Sequence, residues 1–395
     1  MKALRNWFDK QKPSLEKGGK FHMFKAGFGA IETFLFVPNH TTKKRGSHIR
    51  DYVDLKRTMT VVIVAMLPAL LFGMYNVGYQ HFIATGQAID FWPVFLFGFL
   101  KVLPIIIVSY VVGLGIEIAA AQMRGHEVNE GYLVTGMLIP LVMPVTTPLW
   151  MIAVSVAFSV VFAKEVFGGT GMNIWNPALV ARAFLFFAYP SQMSGDSVWV
   201  SVGDNAVVDG FSGATPLSQA ASAAIKPLAE VASDHGISYS LMDMFMGFIP
   251  GSIGETSKVA ILIGAVILIW TKIGSWKIML SAVLGGLFMG TIMNTFAVNS
   301  YMAIPAWQHL IMGGFLFGAV FMATDPVSGA QTNRGKWIYG FMIGLSAILI
   351  RVVNPAYPEG IMLAILIMNM FAPLIDYYVV QGHIKRRLKR AIVKA

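Results

Sequence analysis

The chain has 395 residues, 56% of them hydrophobic and only 13% charged, with 28 Phe and a mean hydropathy of +0.64. That composition excludes an ordinary soluble domain, whose apolar residues must be covered by a polar surface. The formal net charge is +10, and the absence of Cys excludes disulfides, cysteine-ligated iron–sulfur clusters and thiol catalysis within this chain, while leaving flavins and quinones open.

Residues 1–57 begin MKALRNWFDKQKPSLEKGGK and hold 13 Lys and Arg against 5 Asp and Glu. No short apolar core follows the basic start, so no cleavable signal peptide is expected. A basic arm can bind nucleic acid, but the excess of positive charge on the cytoplasmic side of membrane proteins explains it at less cost, and no nucleic-acid partner is expected.

Runs of mostly apolar residues follow near 58–76, 100–120, 131–144, 149–163, 178–190, 259–271, 277–295, 308–323, 337–350 and 360–377. They are continuous rather than alternating, which argues for membrane-spanning helices over barrel strands. The expected fold is therefore an all-α polytopic membrane protein of about ten transmembrane helices, the third to fifth short enough to be half-helices or tilted. Positive residues mark alternate loops: Arg124, then Lys164 and Arg182, then Lys272 and Lys277, then Arg334 and Lys336, and finally the tail HIKRRLKRAIVKA. The long loop 191–257 instead carries Asp196, Asp204, Asp209, Glu230, Asp234, Asp243 and Glu255 with only Lys226. Both termini are thus expected in the cytoplasm and that loop outside, across a bacterial inner membrane. The chain divides into a basic arm (1–57), a first membrane repeat (58–190), an outer loop (191–257), a second membrane repeat (258–377) and a basic tail (378–395).

An internal repeat supports that division. TGMLIPLVMPVTTP (135–148) aligns with GGFLFGAVFMATDP (313–326), and NPA at 176 recurs at 354, both at an offset of 178 residues. The expected topology puts the copies on opposite sides of the membrane, which predicts an inverted repeat of five plus five helices.

Three sets of residues are candidates for chemistry. In DGFSGATPLSQA (209–220), Ser212, Gly213 and Ala214 leave the backbone bare and Thr215 offers a hydroxyl; the stretch reads either as a small-residue surface turn or as a modification site whose base is supplied by a separate enzyme. In GGTGMNIWNPALVAR (168–182), Asn173 and Asn176 each present a donor and an acceptor, suited to a flavin edge or a quinone carbonyl, or else cap the helix that begins at Pro177. Ionisable residues in or near spans are expensive in lipid and point to function: Glu117, Asp325, Arg351, Glu359 and Asp376, with Lys101 expected to snorkel. HEVNEGY (126–132) lacks the second His of a metalloprotease helix, and GLG at 113–115 lies inside a span, where small residues pack helices.

VDLKRTM, HEVNEG, AKEVFGGTG, NPAL with RAFLFFAYP, SGAT, IPGSIGE, FMATDPVS and RVVNPAYPEG, in this order, closely resemble the B-subunit family of the sodium-translocating NADH:quinone reductases. The resemblance runs over nearly the whole chain. The D subunit of the Rnf complex is the nearest cousin, and the long basic arm favours the reductase. The resemblance implies FMN attached through a phosphoester to Thr215 by a dedicated transferase, and a non-covalent riboflavin near the cytoplasmic face at the loop of Asn173 and Asn176. It also implies ubiquinone near Gly113, and sodium uptake past Glu117, Glu359 and Asp376. The expected partners are the other subunits of a redox-driven sodium pump, ubiquinone, Na+ and lipid. The stretch VWVSVGDNAVVDG before SGAT is longer than the family pattern, which leaves the packing around the FMN open. An Rnf-type electron carrier, an ion channel or transporter, and a structural anchor for soluble subunits are the alternatives; a channel has no use for SGAT, and an anchor binds no flavin.

Overall fold

The computed structural model describes residues 55–125, 131–203, 208, 211–223, 239–354, 357 and 359–392, with isolated positions between 6 and 28. Most of the basic arm, HEVNE at 126–130, residues 224–238 of the long loop and the second Pro-Ala at 355–356 lie outside the described residues. The regular structure is helical, and no strand occurs among the described residues. The membrane elements are α1 (Leu55–Thr85), α2 (Phe91–Arg124), α3 (Tyr132–Val142), α4 (Leu149–Ser159, continuing as a π turn Val160–Glu165) and α5 (Pro177–Ala188). After the short α6 (Pro216–Ala223) come α7 (Lys258–Trp270), α8 (Trp276–Thr295), α9 (Phe315–Phe317, continuing as a π turn Gly318–Met322), α10 (Asn333–Val353) and α11 (Ile361–Ile392).

Among the described residues, five helices, α1, α2, α8, α10 and α11, are long and apolar enough to cross a membrane, and α3, α5 and α7 are apolar but shorter. This is the architecture of a polytopic membrane protein. The predicted spans at 131–144 and 178–190 are half-length: α3 has 11 residues and α5 has 12. At ~1.5 Å per residue, α3 covers only ~17 Å of a ~30 Å hydrocarbon core. It stops because Met143 is extended (ψ 150°) ahead of Pro144, as a residue before proline prefers. The predicted span at 308–323 is broken into Gln308–Ile311, α9 and its π turn, with Gly313 in the left-handed region between them (φ +61°).

The faces of α2 explain the packing. Leu96, Leu100, Ile107 and Val111 are exposed at helical spacing, whereas Val94, Gly98, Val102, Ile105, Ser109, Gly113 and Glu117 form the buried stripe. Those four outward residues are large and apolar, and the small or polar Gly98, Ser109, Gly113 and Glu117 all lie inward beside Val94, Val102 and Ile105, as expected of a helix solvated by lipid. Glycines set the distances. A Cβ on Gly98 would overlap the Met74 carbonyl oxygen, and one on Gly344 would overlap that of Ala282, so α1 with α2 and α8 with α10 touch backbone to backbone.

The positive residues read from the sequence as loop markers behave differently at two positions. Lys164 lies in the π turn after α4 and Arg182 lies within α5, and both are buried. Neither is a solvated cytoplasmic charge. Each is neutralised by an acid distant in sequence.

Outside the main core, Leu217, Ala220 and Ala221 of α6 pack with Met244, Ile249, Tyr301, Ile304 and Met312 in a second apolar cluster. That cluster seats α6, and with it Thr215.

Candidate functional site

Thr215 is the residue before α6, and Pro216 is the first residue inside it. Its Oγ1 accepts a hydrogen bond from the Ser218 amide at 3.1 Å, and its carbonyl accepts from Gln219 at 3.0 Å. This is an N-cap followed by the one residue that loses nothing by lacking an N–H there, which gives Thr-Pro a local structural reason. Gly213 has φ +65°, and a Cβ on it would lie 2.7 Å from the Asp196 carbonyl oxygen, so only glycine fits. Ser212 Oγ accepts from the Ala214 amide at 3.4 Å, Ala214 is buried, and Ser218 Oγ donates to Asp196 at 2.6 Å. The four motif residues form a fixed turn that ends with a hydroxyl.

Thr215 lies on the wall of a cavity of about 210 Å³, which Arg182, Trp199, Glu255, Thr256, Tyr357 and Glu359 also line. Arg182 Nη2 donates to Glu359 Oε1 at 2.5 Å. In the turn between α10 and α11, burial pushes the Glu359 carboxyl up from the usual carboxylate range, with the Arg182 guanidinium pulling the other way. Behind them, Lys258 Nζ donates to the carbonyls of Glu255 (2.6 Å) and Gly313 (3.1 Å). Arg351, fully buried, donates to the carbonyls of His309, Met312 and Glu359. Thr256 and Tyr357 line the cavity, and their hydroxyls are buried with no hydrogen-bond partner. Buried polar atoms are rarely left unpaired, so these two are positions for a polar ligand edge.

A second cavity, of about 80 Å³, collects Asn173, Asn176, Lys164, Thr135, Thr324 and Asp325. Asn176 is the N-cap of α5, its Oδ1 accepting from the Ala178 amide at 3.0 Å ahead of Pro177. Asn173 Nδ2 donates to the Trp175 carbonyl at 2.9 Å. Both asparagines therefore hold their own loop and also line the cavity. Asp325 accepts from the Val327 amide (3.1 Å) and Ser328 Oγ (2.6 Å) in its own turn. Glu117, on the buried stripe of α2, pairs with Lys164, and its Oε2 has no partner.

The remaining expected residues go elsewhere. Asp376 accepts from the backbone amides of Gln331 (2.6 Å) and Thr332 (3.0 Å), tying down the start of α10. Gly113 lines neither cavity; a Cβ there would overlap the Tyr132 ring, so it packs α2 against α3. Glu117, Glu359 and Asp376 thus occupy three separate places rather than one. Sequence reasoning missed Lys164, Arg182 and Lys258 as buried charges. For Arg182 a signal exists: five residues past Pro177 in PALVARAFLFFA, it lies well inside a capped apolar helix and not in a loop.

A family model described as "NQR2, RnfD, RnfE family" matches residues 42–385. The chain belongs to that family. It is 46% identical to a protein of Chromohalobacter salexigens over 98% of this chain and 97% of the relative. It is 47% identical to one of Ectopseudomonas mendocina over 99% and 100%, and 46% identical to one of Pseudomonas aeruginosa over 98% and 99%. Each of these relatives is named as the B subunit of a Na(+)-translocating NADH-quinone reductase. Members of the family align with this chain across both cavities, since the match extends from residue 42 to residue 385.

Proposed function

We propose that this chain is the membrane subunit that passes electrons toward ubiquinone in a sodium-translocating NADH:quinone reductase, coupled to Na+ export. Its near full-length similarity to B subunits of such reductases supports this reading. The observation that carries the cofactor reading is the Thr215 hydroxyl, held at a helix N-terminus on the wall of a cavity.

We infer that FMN is joined through its phosphate to Thr215 Oγ1 by a separate transferase. An ester phosphate at that oxygen would lie at the amino end of α6, where the helix dipole favours an anion. The unpartnered Thr256 and Tyr357 hydroxyls suit the polar edge of a ring, and Arg182 with Glu359 supplies fixed charges at the cavity wall. When bound, the flavin supplies the redox chemistry, and the protein supplies attachment, orientation and electrostatics. A covalent link keeps a cofactor on an outward loop that would otherwise lose it by dissociation.

Riboflavin is the reading for the second cavity, where Asn173 and Asn176 offer the matching donors and acceptors. The volume of about 80 Å³ is smaller than a tricyclic ring, so its wall must open. Thr170, flanked in sequence by Gly169 and Gly171 with positive φ, is part of that wall. The same reading takes the helices as ten crossings in two inverted sets of five, α1–α5 and α7–α11, each with a short third member (α3 and α9), and with both termini in the cytoplasm.

The test is a denaturing gel viewed under ultraviolet light. The wild-type and Thr215→Ser bands should fluoresce as flavoproteins and Thr215→Val should not. A fluorescent Thr215→Val band refutes the attachment site.

A further inference from the structure

The last helix is longer than a membrane is thick. The 32 residues of α11 extend ~48 Å at ~1.5 Å each, against a ~30 Å hydrocarbon core. Its apolar run ends at Val380, and HIKRRLKR (383–390) follows on the same helix. Across that change of character, α11 and the start of α10 enclose an open groove of about 420 Å³. On both helices the apolar wall lies deeper than the polar one. Ile338 is one turn further into α10 than Arg334, and Ile375 and Val379 come before His383 and Arg386 on α11. Gly382 also lines the groove, and a Cβ on it would meet nothing within 4 Å.

The groove is held in shape and left with unpaired charge. Asp376 is the only acid on either helix, and the backbone amides of Gln331 and Thr332 occupy it, which ties α11 to the entry of α10. Arg334, His383 and Arg386 make no ion pair or side-chain hydrogen bond among the described residues. Two arginines facing one opening repel each other, and an anion between them removes that repulsion.

The level is that of lipid headgroups. Trp276 and Trp337, near the starts of α8 and α10, pack edge to face with ring centres 5.8 Å apart, and both are exposed. Tyr377 and Tyr378 are exposed on α11. Such amphipathic rings gather where hydrocarbon meets water. A ligand that fits this groove carries an apolar part against Ile338, Ile375 and Val379 and a negative group at the arginines. A phosphodiester joined to acyl chains has that order. An acidic segment of a water-soluble subunit offers nothing to the apolar end.

We propose that the groove holds an anionic phospholipid. Its phosphodiester lies between Arg334 and Arg386 with His383 as a further N–H donor, and an acyl chain covers Ile338, Ile375 and Val379. The proposal needs only that the chain spans a membrane, and it is independent of where a flavin, quinone or ion binds.

The experiment uses the assembled complex, delipidated in an uncharged detergent, and follows thermal unfolding against added phosphatidylglycerol or phosphatidylcholine of identical acyl chains. Phosphatidylglycerol should reach half-effect at roughly 25-fold lower concentration, about fivefold for each arginine. Arg334→Gln/Arg386→Gln should respond to the two lipids alike. Lys385→Gln/Lys389→Gln, which removes the same charge from outside the groove, should keep the preference. Gly382→Trp, which fills the groove and leaves every charge in place, should lose it. Equal response of the wild type to both lipids overturns the proposal. Equal loss of preference in the two double variants also overturns it, because surface charge alone would then be acting. So does stabilisation by glycerol 3-phosphate as strong as that by phosphatidylglycerol, which would make the groove a site for soluble phosphates. A subunit shed by Arg334→Gln/Arg386→Gln with the lipid preference intact would make it a seat for protein and overturn the proposal too.

Discussion

Arg182 and Glu359 are 177 residues apart in the chain and meet at 2.5 Å on the wall of the cavity that Thr215 shares. One comes from the half-length helix α5 and the other from the turn before α11. With side chains only 7% and 14% exposed, they form a buried ion pair. Such a pair gives little net stability, but removing one partner strands the other charge.

Arg182→Met should therefore destabilise the protein by about 3–5 kcal/mol, whereas Arg182→Met/Glu359→Gln should recover most of that loss. Thermal unfolding of the purified complex measures both. Equal destabilisation by the single and double variants would mean that the pair is not a unit.

Thr215 caps α6 and, in the proposed function, also carries the flavin, and substitution separates the two. Thr215→Val removes the N-cap of α6 and should cost about 0.5–2 kcal/mol locally, along with the flavin tether. Thr215→Ser should restore both, and Thr215→Asn should restore the cap without the flavin. Limited proteolysis near 211–223, read beside gel fluorescence, distinguishes the two losses.

Gly113 is a packing residue in this structure. Gly113→Ala drives a methyl into the Tyr132 ring and should cost about 1–3 kcal/mol, with Gly113→Ala/Tyr132→Ala less affected than the sum of its parts. If Gly113→Ala left unfolding unchanged but weakened quinone reduction, the position would act at the quinone instead.

Asn173→Ala should lower extractable riboflavin and leave covalent FMN fluorescence intact. Asn176→Ala should do the same and, in addition, lose about 1 kcal/mol with the cap of α5. Acid extraction followed by chromatography checks the first effect, and thermal unfolding checks the second.

The long apolar helices were legible because their signal is local. Leu96, Leu100, Ile107 and Val111 mark a lipid-facing side of α2, and the run through Glu117 is long enough to span. The half-helices were legible as short runs, but Met143 before Pro144 ends α3 for a backbone reason that hydropathy does not report. Lys164 and Arg182 were misread because counting positive loops registers a charge without its partner, and their partners lie 47 and 177 residues away. Asn176 was legible as a cap from Asn-Pro alone, and as a cavity residue only once Lys164 and Asp325 were brought beside it. Nothing local in SGAT announces a cofactor. Its Thr-Pro is a good helix start on any protein, and only the resemblance distinguished modification from a turn.

The most direct test of the account is intact-peptide mass spectrometry of the natively expressed protein. The peptide containing Thr215 should be heavier by FMN less one water, with the added mass localised to that residue by fragmentation. An unmodified Thr215 peptide from a complex that still reduces quinone would contradict the account.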